Sequence, residues 1–268
     1  MTTTNPLIDP VPSEVPLARA PLAQVLCAVS FPAILKIVDA SGTGVAAFQE
    51  AIRAEYPVLN QEIEHAFTFQ MDDKNSFAPQ ITANTVWRFL DKDQRWGVTL
   101  SRESLALHTQ SAYTTRTEFL DRFEGMARAF CDALDPAQCT RVGARYVNVL
   151  DGAMLDDVEG FIRPEFRAFG HQPFLDALVS GNQRVEFVVP EGRLVVRAGI
   201  LKAGQTHDPQ AIPAAEGTRY FLDLDGINMD AREFSAAEIR KTAAGLTERV
   251  YTMFRWAVTD KLLEACNG

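Results

Sequence analysis

Two long amphipathic segments, each opened by a capping box, constrain the fold of this chain more than any other feature. The patterns Thr115-x-x-Glu118 and Ser235-x-x-Glu238 each predict a helix start, because the two side chains satisfy each other's free backbone N–H groups. Apolar residues recur on one face of both predicted helices: Phe119, Phe123, Met126, Phe130 and Leu134 in the first, and Ile239, Ala243, Leu246, Val250, Phe254 and Ala257 in the second. Helices of this kind must bury that face against another layer of structure.

Short runs with the two-residue alternation of β-strands supply that layer. The predicted strands cover residues 25–31, 63–69, 85–90, 94–101 and 104–110 in the first half, and residues 141–149, 184–189, 194–201 and 219–224 in the second. Further helical regions are predicted at 45–56 and 158–179, and a polar loop at 71–84. The second half repeats the order of the first loosely, and both halves are interpreted as β-α-β-β-β-α.

This order predicts an α+β fold in which long helices cover curved antiparallel sheets. The halves would form two TBP-like or helix-grip-like lobes, residues 22–138 and residues 139–268, packed as one compact unit. A single continuous sheet is also compatible with the element order. Residues 1–21 predict an extended N-terminal arm, because proline removes backbone donors and fixes φ. The arm prolines are Pro6, Pro10, Pro12, Pro16 and Pro21.

The charge balance disfavours general nucleic-acid binding. Lys and Arg number 26 and Asp and Glu number 35, which gives a formal net charge of −9. Such a field repels a phosphate backbone, and the sequence has no Lys/Arg-rich run to oppose it.

The cysteines and the N-terminus favour a cytoplasmic protein. The four cysteines form no C-x-x-C pair, and their spacings suggest neither a disulfide framework nor a zinc finger. The N-terminus lacks the basic-then-apolar build of a secretion signal. The early apolar stretch from Val25 to Val38 is short and is interrupted by Pro32 and Lys36, so we expect no membrane span.

Three stretches carry a resemblance to a known group of bacterial proteins. They are Trp87-Arg88-Phe89 through Trp96-Gly97-Val98-Thr99-Leu100 and Leu105-Ala106-Leu107 to Tyr113, with Phe119 and Phe123; Arg141-Val142-Gly143-Ala144-Arg145-Tyr146-Val147-Asn148; and Phe254 with Val258-Thr259-Asp260. Together they resemble a sporadically distributed, functionally uncharacterised bacterial protein family with an R-x-G-x-R-Y-x-N strand, over nearly the whole chain after the arm. The resemblance implies a stand-alone protein associated with mobile elements or defence, and it transfers no catalytic residues.

The R-x-G-x-R-Y-x-N strand is the most specific candidate for a ligand site. Strand alternation places Arg141, Gly143 and Arg145 on one face and Tyr146 and Asn148 on the other. Two arginines that flank a glycine can hold a carboxylate or a phosphate bidentately.

A structural interpretation of the same strand stays open beside the ligand hypothesis. Arg145 can pair with Asp223 or Asp225 from the predicted strand at 219–224 and its continuation. Because losing one partner of a buried ion pair costs about 3–5 kcal/mol, a purely structural role would explain the motif.

Two further patterns carry weak signals. The segment Ser41–Ala47 fits G-x-G-x-x-A, but no βαβ series follows it, so a glycine-rich loop before a helix is favoured over nucleotide binding. The acidic segment Asp223–Glu233 lacks the glycine and glutamate of a calcium loop at positions six and twelve. We expect no cofactor and no metal. An enzyme is disfavoured, and a metal-assisted hydrolase that uses Asp223–Asp230 ranks last.

Two functional hypotheses remain. A non-catalytic binding or adaptor protein would meet a partner protein, or a second copy, through the arm and the loop Lys202–Gly217. A small-ligand sensor would hold an apolar or anionic ligand in a hollow between sheet and helices. The candidate ligand-binding residues are Arg141, Arg145, Tyr146, Asn148, Trp87, Phe89 and Trp96, and no residue is assigned a catalytic role.

Overall fold

The computed structural model describes Leu7 and residues 11–38, 43–71, 77–170 and 173–267, with side chains described outside 64–71 and 77–83. The helices are α1 (Leu35–Val38), α2 (Thr43–Ile52), α3 (Arg116–Leu134), α4 (Gly152–Asp156), α5 (Val158–Phe161), α6 (Ala236–Ala257) and α7 (Asp260–Asn267), with a 3₁₀ turn at Pro164–Phe166. The strands are β1 (Leu22–Ser30), β2 (Val58–Met71), β3 (Phe77–Leu90), β4 (Trp96–Leu100), β5 (Ser104–Thr109), β6 (Gln138–Cys139), β7 (Arg141–Leu150), β8 (Gly181–Val189), β9 (Gly192–Leu201), β10 (Arg219–Asn228) and β11 (Arg232–Glu233).

Nine strands form one antiparallel sheet in the order β2-β3-β4-β5-β1-β7-β10-β9-β8, and the sheet is not closed into a barrel. The α+β class with a large antiparallel sheet is therefore confirmed. The central pair, β1 and β7, joins the two halves of the chain in one sheet. The five strand ranges predicted in the first half correspond to β1–β5, so the summary order β-α-β-β-β-α is one strand short for that half. The division into lobes at residues 138 and 139 stays a prediction.

Helices α2, α3 and α6 pack on one face of the sheet. Alternate residues of β1, namely Val25, Cys27 and Val29, are buried in the same apolar cluster as the inward faces of these helices. A second cluster joins β9 and β10 to α6 and α7. Both capping boxes begin a helix: the Thr115 hydroxyl accepts a hydrogen bond from the Glu118 N–H at 3.1 Å, and Ser235 does the same for Glu238 at 3.5 Å. Burial of this kind contributes roughly 1.5–3 kcal/mol for each large side chain before entropy is counted.

The opposite face of the sheet is covered in part by residues 202–218, which connect β9 to β10. Ala211 and Ile212 from this connection are buried against Val147, Leu201 and Phe221 of the sheet. The connection predicted to face a partner protein is thus held against its own sheet.

The segment predicted as a polar loop at 71–84 belongs largely to a hairpin. Strands β2 and β3 are fourteen residues each and pair from Val58–Leu90 to Met71–Phe77. Strand β4 pairs only with Trp87–Leu90 of β3, so Pro79 has a neighbouring strand on one side alone. A proline is tolerated at such a position of the described sheet, because a strand with one neighbour has an open side that needs no N–H donor.

The helical region predicted at 158–179 is mostly irregular. Only α5 and the 3₁₀ turn are helical within its described part, and Ala168 and Phe169 have φ of 46° and 62°. Those left-handed conformations, together with Pro164, end helical structure early. None of the described helices is both long enough and apolar enough to span a bilayer.

Candidate functional site

Strand β7 carries four of the predicted ligand residues and divides them between its two faces, as its alternation predicted. Tyr146 and Asn148 face α6, whereas Arg141 and Arg145 lie on the opposite face beside β10. The structure therefore does not bring the two arginines and the Tyr146–Asn148 pair into one site.

The Arg145 guanidinium is enclosed by carboxylates. It donates hydrogen bonds of 2.8 and 2.9 Å to Asp223 and one of 2.6 Å to Asp208. Asp223 is fully buried and also accepts a 3.3 Å bond from Arg197. The interpretation of Arg145 as a partner of Asp223 is confirmed. Because the bidentate pair uses the donor fork that an anionic ligand would need, this arginine fills a structural role here.

The connection at 202–218 supplies two members of this charged cluster, defined as Arg145, Asp223, Asp208, His207 and Arg197. His207 places a ring nitrogen 3.0 Å from the Asp223 carboxylate and stacks on Phe221, with ring centroids 4.5 Å apart. The cluster fastens the connection to the sheet at the point where Ala211 and Ile212 are buried.

Gly143 of the motif makes room for Arg141. A Cβ atom at residue 143 would lie 3.0 Å from a guanidinium nitrogen of Arg141, so the arginine lies across the glycine. Arg141 and Arg197 each approach Asp225 only to 3.9 Å. The R-x-G-x-R part of the motif thus spreads guanidinium groups over two neighbouring aspartates of β10.

The two aspartates differ in their acidity. Burial works to raise the pKa of Asp223, but hydrogen bonds from His207 and Arg145 outweigh it and hold the pKa below its ordinary value. Burial raises the pKa of Asp225, whose arginine neighbours are more distant. Asp223 is therefore held as an anion, and its charge is compensated within the protein.

A cavity of about 190 Å³ lies on the helix side of β7, and we call it the arm cleft. Its walls are the arm, the start of α3, the inner face of α6 and strand β7. It is lined by Glu14, Val15, Pro16, Leu17, Ala20, Pro21, Leu22, Tyr113, Thr114, Thr115, Arg116, Tyr146, Asn148, Thr247, Val250, Tyr251 and Phe254.

The described part of the arm from Ser13 to Pro21 is held in place by hydrogen bonds. The Val15 N–H donates to the Tyr251 hydroxyl at 2.8 Å, and the Arg19 N–H donates to the Cys266 carbonyl at 3.0 Å. The Pro21 carbonyl accepts from the Val149 N–H at 2.8 Å, which ties the arm to the sheet. The arm is an ordered wall of the cleft from Glu14 onward.

Two tyrosines provide the polar interior of the arm cleft. The hydroxyls of Tyr113 and Tyr146 are 3.4 Å apart, and the rings meet edge to face with centroids 5.7 Å apart. Burial raises the pKa of both phenols, so both are neutral hydrogen-bonding groups at physiological pH. A hydroxyl pair at this long distance has capacity for a further hydrogen-bond partner.

The three predicted aromatic residues lie away from the cleft. Phe89 is fully buried against Phe48, and Trp96 stacks on Phe119 with centroids 5.8 Å apart. Trp87 is partly buried against the same core. All three belong to the packing between the sheet and α2 and α3.

Sequence reasoning missed Tyr113, Arg116 and Tyr251 as cleft residues. The α6 side of the cleft follows a helical spacing that was available, since Thr247, Val250, Tyr251 and Phe254 lie at i, i+3, i+4 and i+7. No local signal shows that the arm docks there.

Neither a comparison with protein-family models nor one with curated proteins found a match to this chain. Among the side chains that the structure describes, no group of three or more His, Cys, Asp and Glu residues is arranged to hold a metal ion.

Proposed function

We propose that this protein is a small-molecule sensor that binds a largely apolar ligand in the arm cleft. The observation that supports the proposal is the cleft itself: a cavity with mostly apolar walls and a few convergent hydroxyl and amide groups. Those groups fix orientation, while the apolar walls supply affinity.

The size of the cavity limits the ligand. A dry apolar cavity of about 150 Å³ is enough to bind benzene. The arm cleft, at about 190 Å³, has room for a single ring with one or two small substituents. Tyr146 of β7 places its hydroxyl beside that of Tyr113, so a ring with one hydroxyl is a suitable probe.

We expect p-cresol to bind the arm cleft and the Tyr146→Phe variant to bind it about fivefold more weakly. The reason is that a neutral hydrogen bond contributes about 1 kcal/mol, and the variant removes one hydroxyl without changing the shape of the cavity. Isothermal titration calorimetry measures both affinities, with native mass spectrometry of freshly purified protein to detect a retained ligand.

Toluene and Tyr56→Phe are the matched controls. Toluene lacks the hydroxyl, so its affinity should be the same for wild type and Tyr146→Phe. Tyr56 is a buried tyrosine outside the cleft lining, so its phenylalanine variant should bind p-cresol as wild type does. No heat and no thermal shift with either probe would contradict the proposed function.

A second candidate function, binding of a protein partner, is favoured by the edge strand β8. This strand has one neighbour in the described sheet, and Val185 and Val188 on it are exposed. We propose that the partner is a second copy. Symmetric antiparallel pairing about Val185 sets Arg184 of one copy opposite Glu186 of the other, and opposite charges in that position are favourable.

In this arrangement we expect wild type to dimerise and Val185→Lys to be monomeric, because two lysines would face each other across the new strand pair. Sedimentation velocity over a range of concentrations measures the change. Val179→Lys is the matched control, since Val179 is also exposed but precedes β8. A wild-type monomer at every concentration would count against the second candidate.

We also propose that the protein belongs to the sporadic bacterial family and is located in the cytoplasm. The R-x-G-x-R-Y-x-N strand supports membership of the sporadic bacterial family, with its mobile-element or defence association. The four free thiols, Cys27, Cys131, Cys139 and Cys266, support a reducing cytoplasm. The charge of −9 supports the absence of general nucleic-acid binding.

A further inference from the structure

Arg116 is the feature of the arm cleft that the proposed function leaves unused. Among the described residues it is the only Lys or Arg that lines the cavity, and it is the first residue of α3. The start of a helix of this length carries partial positive charge, which adds to that of the guanidinium. The part of the cavity beside Arg116 is therefore suited to an anion.

The anion that Arg116 now binds comes from the arm. The Glu14 carboxylate lies 2.6 Å from the Arg116 Nε, and it is about half exposed. Glu248 of α6 lies 3.4 Å from the Arg116 Nη1, an ion-pair distance without hydrogen-bond geometry. That Nη1 is buried and has no hydrogen-bond partner among the described residues. A buried donor left in this state is costly, so an acceptor inside the cleft would stabilise it.

We propose that the ligand is a small aromatic or aliphatic carboxylic acid whose carboxylate replaces Glu14 on Arg116. This inference rests on the proposed function and adds the ligand class and its effect on the arm. The exchange keeps the number of carboxylates beside Arg116 constant. They are Glu14 and Glu248 before ligand binding, and the ligand and Glu248 afterwards. A ligand carboxylate inside the cleft can bind Nη1 and Nη2 together, whereas the Glu14 contact is at Nε. Because Glu248 is already beside the guanidinium, the ligand would bring a third negative charge there, and the resulting repulsion displaces Glu14 into solvent.

The exchange has a defined mechanical consequence. Glu14 and Val15 form the outer attachment of the arm, through Arg116 and Tyr251. Ala18, which donates to the Asn267 side chain at 3.0 Å, and Arg19 form the inner attachment at α7. Loss of the Glu14 contact removes one attachment of the outer part of the arm and weakens its docking, although Ser13 and Val15 keep their hydrogen bonds to Tyr251. Ligand binding is thereby converted into looser attachment of a proline-containing segment, while the chain from Ala18 onward stays docked.

The test compares 4-methylbenzoate with 4-methylbenzamide, which have nearly the same shape and differ in charge. We expect wild type to bind the acid at least tenfold more tightly than the amide. Glu14→Gln should bind the acid several-fold more tightly and the amide unchanged, because the competing carboxylate is gone. Arg116→Gln should bind both probes alike, and Arg116→Lys should restore part of the preference for the acid.

Hydrogen exchange reports the arm in the same samples. The acid should speed exchange of the Val15 amide and leave that of Arg19 unchanged, and the amide probe should change neither. Equal affinity of wild type for acid and amide would overturn the carboxylate inference, while p-cresol binding would still support the cleft as a ligand site. Acid binding that slows exchange at Val15, or leaves it unchanged, would overturn the loosening of the arm. Failure of p-cresol and toluene as well would remove the proposed function itself.

Discussion

Replacing Asp223 with asparagine should lower the free energy of unfolding by about 3 kcal/mol. Its carboxylate is fully buried and receives hydrogen bonds from Arg145, Arg197 and His207. Breaking a buried ion pair by removing one partner costs about 3–5 kcal/mol, since the other charge stays buried and uncompensated. The low end applies here, because Arg145 keeps its 2.6 Å bond to Asp208.

Asp225→Asn is the matched control on the same face of the same strand. Its nearest guanidinium groups are 3.9 Å away and burial raises its pKa, so removing its charge should change stability by less than about 1 kcal/mol. Urea unfolding followed by circular dichroism measures both variants. If Asp223→Asn were as stable as wild type, the charged cluster would not be what fastens residues 202–218 to the sheet.

Lowering the pH from 7 to 4 should destabilise the folded protein by about 3 kcal/mol through His108 alone. Burial, with a smaller contribution from the Arg88 guanidinium, lowers the pKa of this imidazole from the ordinary 6.5 to about 4. A side chain at residue 97 would collide with the ring, which is packed over Gly97, and the ring Nε2 is buried without a hydrogen-bond partner in the described part of the chain.

The sign follows from proton binding. Between pH 6.5 and 4 the unfolded chain binds a proton at His108 and the folded chain does not, so stability falls as the pH falls. Each pKa unit is worth about 1.4 kcal/mol. Asp223 acts in a lower window: its depressed pKa means that its contribution is complete above its ordinary pKa and is lost as the pH drops through the folded value.

His108→Leu isolates this contribution. The variant removes the titrating group and fills the same space with an apolar side chain, so the pH dependence of its stability between 7 and 4 should be shallower than that of wild type. Urea unfolding at half-unit pH intervals gives both curves. Parallel curves for wild type and variant would show that His108 has the same pKa in the folded and the unfolded chain.

The alternation of residues along strands and the capping boxes predicted the helix starts, the two faces of β7 and the pairing of Arg145 with Asp223. The two faces of β7 and the pairing of Arg145 with Asp223 depend on a strand period of two and on opposite charges, both of which are local properties. Trp96 is predicted to line a hollow between sheet and helices, and its ring does face the helices. Whether a helix packs tightly on such a residue or leaves a gap depends on α3, which fills the space with Phe119.

The arm cleft could not be predicted in the same way. It exists because Val15 bonds to Tyr251, a contact across 236 residues of sequence, and because Arg116 at a helix start meets Glu14. Proline content predicts that the arm is extended but not where it lies. Which segments form the walls of the cleft therefore depends on long-range contacts. The secondary structure of each wall, taken alone, can be predicted from the sequence.

The pairing of β1 with β7 affects the order in which the chain folds. Their register runs from Leu22–Asn148 to Ser30–Arg141, so the seam unites segments from opposite halves of the sequence. Closing so long a stretch of chain has an entropic cost that short hairpins avoid, and we expect the seam to form late during folding. Until then the edges of β1 and β7 have unpaired backbone N–H and C=O groups. Such edges can pair wrongly with a neighbouring chain during synthesis.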